Sequence, residues 1–96
     1  RFAEAFVGGK FRVKKWGKNK IRQALKIKQV SEPLIRKALA SIRNDEYLAT
    51  LRKLVREWSS KVKEQHPMKK RQMIARYAIQ RGFEPELVWE VLGGEE

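Results

Sequence analysis

Ninety-six residues, 42% of them apolar, suffice for one compact domain or two small ones in contact. The absence of cysteine excludes a disulfide framework and Cys-ligated zinc, no apolar run is long enough to span a bilayer, and three prolines and six glycines among 35% charged residues favour helices over a turn-rich sandwich or barrel. A formal charge of +12 points to nucleic acid, an acidic protein groove or an anionic surface as partner, because self-repulsion of that size opposes a compact state unless a counter-charge relieves it.

Helical periodicity then recurs along the chain. Phe2, Phe6, Val13 and Trp16 share one face of a first helix if it runs through Gly8-Gly9, and Gly17 breaks that element. Ile21, Ala24 and Leu25 form the next stripe. Ser31 caps a third helix carrying Leu34, Ile35, Ala38, Leu39 and Ile42, with Val30 and Ile35 placed as a hydrophobic staple. An Asn44 cap, with Asp45 and Glu46 in the first turn, opens a long helix with Tyr47, Leu48, Leu51, Leu54, Val55, Trp58 and Val62 on one face. It runs to about Glu64, before His66-Pro67 ends it, and at 1.5 Å per residue it is about 30 Å long.

The second half repeats the plan of the first at an offset of fifty-three residues. Ile21 aligns with Ile74, Ala24 with Tyr77, Leu25 with Ala78, Lys28 with Arg81 and Val30 with Phe83. Leu34 then aligns with Leu87, Ile35 with Val88, Ala38 with Val91 and Leu39 with Leu92. One period spanning several elements is what stacked tandem units leave in a sequence. The prediction is an all-α fold without strand pairing, made of two three-helix repeats over residues 1–43 and 44–96 in an elongated or curved array.

The charge is unevenly placed. Lys10, Arg12, Lys14, Lys15, Lys18, Lys20, Arg22, Lys26 and Lys28 follow one another without an intervening acid, whereas an ordinary solvated face mixes signs. A second basic stretch holds Arg52, Lys53, Arg56, Lys61, Lys63, Lys69, Lys70, Arg71 and Arg76, diluted by Glu57 and Glu64, and after Arg81 the sign reverses through Glu84, Glu86, Glu90, Glu95 and Glu96. On a wheel anchored at Ile21, Lys20, Arg22 and Lys26 point away from the apolar stripe with Lys18 on its flank. Lys28 falls under the stripe and snorkels at the helix end, as Arg81 does in the other repeat. The candidate partner surface is therefore Lys10, Arg12, Lys14, Lys15, Lys18, Lys20, Arg22 and Lys26, joined by Lys69, Lys70, Arg71 and Arg76. Its centre is Lys14, Lys15, Lys18 and Arg22, which lie together without acids.

Among the aromatics, Trp58, Phe2, Phe6, Tyr77 and Phe83 read as core. Trp16 packs at the end of the first helix, or stacks a base in a single-strand binder. Trp89 lies opposite the apolar side of the last helix, either covered by a neighbouring helix or exposed as a partner contact. Catalysis has no constellation to work with: His66 is the single histidine and has no acid or nucleophile tied to it by a motif, and no His cluster has metal spacing. Gly8-Gly9-Lys10 lacks the spacing of a phosphate loop, and Glu84 and Glu86 around Pro85 suit a helix start. No catalytic residue, metal or cofactor is expected.

Arg1-Phe2-Ala3-Glu4-Ala5-Phe6-Val7, then Gly17 with Ile21 and Leu25, then Val30 followed by Leu34-Ile35 and Ala38-Leu39, resembles the middle repeat of RecX proteins. Arg81-Gly82-Phe83, then Leu87-Val88 and Val91-Leu92, is similar to the last repeat of that family. Gln29 stands where the family often places glycine, and Trp16 is an unusual neighbour for Gly17. The resemblance implies the second and third of three tandem three-helix repeats, with a first repeat preceding Arg1. It also implies a non-catalytic cytoplasmic regulator, acting in recombination, repair and the SOS response, that binds the RecA filament on single-stranded DNA and suppresses strand exchange and ATP turnover. The partners implied are the RecA filament and single-stranded DNA within or apart from it, with no membrane and a monomeric chain. The alternative is an autonomous DNA-binding protein of helix-turn-helix type, against which stands the lack of a set of Asn, Gln and Arg on one exposed face for reading bases.

Overall fold

The computed structural model describes residues 1–94, and Glu95 and Glu96 of the acidic tail lie outside the described residues. Six helices follow in chain order: α1 (Phe2–Arg12), α2 (Lys18–Ile27), α3 (Glu32–Ala40), α4 (Asn44–Lys61), α5 (Pro67–Gln80) and α6 (Pro85–Gly94). No strand occurs among the described residues. In the first half α1, α2 and α3 pack on one another, and in the second half α4, α5 and α6 do the same. One continuous apolar core joins the two units. The molecule measures 44 × 24 × 21 Å, and its radius of gyration of 14.2 Å exceeds the roughly 12.5 Å of a compact domain of this length, as an elongated pair of units requires.

Local chemistry explains most of the boundaries. α2 starts on Gly17 and buries Ile21 and Leu25, four residues apart. α3 starts on Ser31 with Pro33 in its first turn, where the missing N–H costs nothing, and it buries Ile35, Ala38 and Leu39. α4 differs from expectation at both ends. Its cap is Arg43, one residue early, because the Asp45 carboxylate accepts the Glu46 N–H at 2.8 Å and pairs with Arg43 at 3.0 Å from inside the first turn. Its last helical residue is Lys61, since Val62 adopts an extended conformation and lays its side chain on the core ahead of His66-Pro67.

The helical faces depart from expectation where a distant partner decides. In α1 the buried residues are Val7 and Phe11, whereas Phe2 is 59% and Val13 76% exposed. The helix stops at Arg12 and Lys15 takes a left-handed conformation (φ 61°), so Val13 and Trp16 leave the helical register. Phe11 is drawn inward by Tyr47, whose ring lies 5.7 Å away. Leu34 is exposed at the outer side of α3. Tyr77 is 39% exposed, and Trp58 and Phe6 are half-buried against the core. Phe83 is fully buried, as expected.

The repeat extends into backbone geometry. α2 closes with Val30 N–H on Leu25 O (3.1 Å) and Gln29 N–H on Lys26 O (2.9 Å). α5 closes with Phe83 N–H on Ala78 O (3.1 Å) and Gly82 N–H on Ile79 O (2.9 Å), the same Schellman pattern fifty-three residues later. The left-handed residue is Gln29 (φ 65°) in one case and Gly82 (φ 104°) in the other. At Gly82 another helix start lies against the turn. Gly17 donates its N–H to Arg81 O at 2.7 Å and Asn19 donates to Gly82 O at 2.8 Å, so the start of α2 caps the end of α5. A Cβ on Gly17 would stand 2.2 Å from the Phe83 nitrogen, and one on Gly82 would stand 2.4 Å from the Lys20 Cβ.

Gly17→Ala is expected to lower stability by at least about 2 kcal/mol in a denaturant titration, since backbone rather than a flexible side chain must move. Phe83→Ala should cost about 3 to 5 kcal/mol through lost burial and the cavity left behind. A loss below about 1 kcal/mol for either would contradict the packing described.

Candidate partner-binding surface

The joint between the units is also where cations collect. Tyr47 of α4 is buried between Phe11 and Phe83, with ring centroids 5.7 and 5.3 Å away. Its hydroxyl accepts the Lys18 backbone N–H at 3.0 Å and donates to the Glu84 carboxylate, tying α2, α4 and the start of α6 together. Burial, reinforced by the Glu84 hydrogen bond, pushes the Tyr47 phenol far above its ordinary value, so this latch stays protonated.

Several predicted cations rest on aromatic faces. Trp16 carries Lys10 Nζ at 4.8 Å and Lys20 Nζ at 4.6 Å from its ring centre, and Lys18 Nζ lies 4.8 Å over Tyr47. Trp16 thus packs half-buried at the end of α1 while ordering two lysines. Lys28, expected to snorkel, reaches Phe6, with Nζ 5.6 Å from the ring centre.

Acids from elsewhere in the chain reach other members of the run. Arg12 donates twice to Glu46, at 3.0 and 3.2 Å, and this hydrogen bond and charge raise its pKa further. Arg22 pairs with Glu32, which also stands 4.0 Å from Lys26 and 3.9 Å from Arg36. The expectation of a centre at Lys14, Lys15, Lys18 and Arg22 free of acids is therefore corrected at Arg22. The sequence gap between Arg22 and Glu32 is closed by the α2–α3 turn. Lys14 is exposed, and Lys15 turns its Nζ back to Arg12 O at 2.8 Å.

Proximity in space regroups the predicted residues. Lys15 shares a surface hollow with Lys53 and Arg81, which Glu46 and Glu57 also line, and Lys20 shares a larger groove with Lys61, Lys63 and Arg81. Lys53, Lys61, Lys63 and Arg81 were outside the predicted surface, although the first three belong to the second basic stretch of the sequence, which was the signal that could have found them. Lys70 and Arg71 line a separate cleft with Arg56, between α4, α5 and α6, and Lys69 and Arg76 are exposed on α5. Trp89 is 45% exposed on α6, opposite Val88, Val91 and Leu92. Among the described residues there is no metal-binding cluster and no helix long and apolar enough to cross a membrane.

Two stacked three-helix units with a basic joint define a protein of tandem helical repeats. The family model of the second three-helix domain of RecX matches residues 1–39, and that of the third matches residues 45–92. The chain belongs to the RecX family. No curated protein and no solved structure is significantly similar to it.

Removing the Tyr47 hydroxyl tests the latch. Tyr47→Phe strands the Lys18 N–H and Glu84, and should cost about 1 to 3 kcal/mol at neutral pH. The sign with pH follows from the raised pKa: the folded chain keeps a proton that the unfolded chain loses near pH 10, so this contribution is intact below about pH 10 and is lost as pH rises beyond it. Melting curves from pH 8 to 11 should fall more steeply for the wild type than for Tyr47→Phe above about pH 10. Parallel curves would place the phenol in water.

Proposed function

We propose that this chain regulates the RecA recombinase by binding the RecA filament on single-stranded DNA through its basic surface, lowering ATP turnover and strand exchange without catalysing a reaction itself. The observation that carries this reading is the ordered match to the second and third RecX domains over nearly the whole chain. Physical chemistry supports it from the other side. A charge of +12 on so short a chain opposes folding, so its benefit lies in a complex with a polyanion. An elongated array with cations near its joint suits a partner that is itself long and anionic. Lys10, Arg12, Lys14, Lys15, Lys18, Lys20, Arg22 and Lys26 on the first unit, and Lys69, Lys70, Arg71 and Arg76 on the second, are the proposed contacts. Trp89, midway along α6, is a further one. The boundary between the two repeats, after residue 43, belongs to the same proposal, as does a monomeric chain acting in the cytoplasm in recombination, repair and the SOS response.

The decisive variant is Lys14→Glu, Lys15→Glu, Lys18→Gln. Lys18 is made neutral rather than acidic because its backbone shares the Tyr47 hydroxyl with Glu84, and Arg22 is left intact to serve Glu32. DNA-dependent ATP hydrolysis by RecA should be inhibited by the wild type and at least about tenfold less potently by the folded variant. Each lost phosphate contact on a single strand should also flatten the dependence of log affinity on log salt by about 0.7. Undiminished inhibition by a variant that melts like the wild type would overturn the basic-surface mechanism, and no inhibition by the wild type would overturn the function.

A further inference from the structure

We infer that the groove at the joint is a base-stacking site for single-stranded polynucleotide, with Tyr77 and Trp58 receiving a base and Lys20, Lys61, Lys63 and Arg81 receiving the flanking phosphates. The groove, of about 700 Å³, opens between the start of α2, the end of α4 and the outer face of α5. Its aromatic wall is Trp58 packed edge-on against Tyr77, with centroids 6.1 Å apart and planes at 63°. Tyr77 occupies the stripe position that its counterpart Ala24 fills with a methyl group, yet it is 39% exposed, so a large aromatic surface is held open to solvent.

The rim has one sign. No carboxylate lines the groove, and among the described residues Lys61, Lys63 and Arg81 have no ion-pair partner. Arg81 makes no side-chain hydrogen bond either, and its buried Nε–H lacks an acceptor. Three uncommitted cations and a lysine already stacked on Trp16 therefore face an aromatic wall.

That combination selects among polyanions. A duplex keeps its base faces stacked inside and would leave Tyr77 unused, and an acidic peptide would satisfy the cations without needing the rings. A single strand offers both a phosphate for each cation and a free π-face for each ring. The inference deepens the filament reading by assigning residues that touch the strand, and it is tested without recombinase so that the two can fail separately.

The intact chain is titrated into a fluorescein-labelled oligothymidylate of about ten nucleotides and into an abasic oligomer with the same number of phosphates, followed by anisotropy. The thymidylate should bind about tenfold tighter, and Tyr77→Ala should remove that preference while leaving abasic binding unchanged. Lys61→Gln with Lys63→Gln, both surface changes that leave the core intact, should weaken binding to both oligomers and flatten the log-log salt slope by about 1.4 for two lost contacts. Lys14→Glu with Lys15→Glu should leave the thymidylate-to-abasic ratio unchanged. Equal affinity for the two oligomers, preference for duplex, or an unchanged salt slope in the Lys61 and Lys63 variant overturns the site. If Tyr77→Ala fails to fold, the oligomer comparison with wild type and the salt slope still decide.

Discussion

Gly17 and Gly82 let the first turn of α2 and the last turn of α5 approach until backbone meets backbone. Two N–H groups at one helix start and two carbonyls beyond one helix end satisfy each other across that contact, and the positive end of the α2 dipole meets the negative end of α5. No side chain is interposed, so the distance between the two units is fixed to within a hydrogen bond. Tyr47 can then span the seam, stacking on Phe11 from one unit and Phe83 from the other while its hydroxyl bridges Lys18 and Glu84. The groove holding Lys20 opposite Lys61 and Lys63 exists because this joint sets Lys20 beside Gly82.

A chain this basic folds because it disposes of part of its charge internally. Glu46 holds Arg12 across the seam, and Glu32 sits among Arg22, Lys26 and Arg36. These pairs are partly exposed and individually weak, but each lowers the local density of positive charge. Aromatic faces do the same work differently, since Trp16 hosts two ammonium groups without neutralising either. Charge held this way is more accessible to an incoming anion than charge paired with Glu32. In the proposed partner surface the paired cations Arg12, Arg22 and Lys26 therefore contribute less than their neighbours, and the inferred groove extends that surface onto the second unit, where Lys61 ends α4 and Lys63 follows it.

The repeat was legible because it is written in burial: Ile21 and Ile74, Leu25 and Ala78, and Ile35 and Val88 obey one periodicity and are buried in both units. α2, α3 and the face of α4 follow from the same signal. α1 did not, because two faces of its sequence carry phenylalanine and only a ring thirty-six residues away decides between them. The acids around Arg12 and Arg22 were invisible for a related reason, each arriving from a later helix. Leu34 and Tyr77 lie at the edges of apolar stripes, and periodicity alone does not say how far a neighbouring helix extends its cover.

The two Schellman ends separate what the repeat shares from what it does not. At Gln29 the left-handed conformation is close to the one accessible to ordinary residues, the side chain is exposed, and the cost is about 1 to 2 kcal/mol. At Gly82 φ reaches 104° and a helix start lies against the turn, so both conformation and space demand glycine. Sequence similarity between the units thus continues through the hydrogen bonds of the turn and stops where contact begins. A helix start brought to the end of α2 in the way that α2 meets α5 would encounter the Gln29 Cβ at the place where Gly82 offers none. Among the described residues, backbone therefore meets backbone between helix ends at the α2–α5 joint, where Gly17 and Gly82 leave room for it.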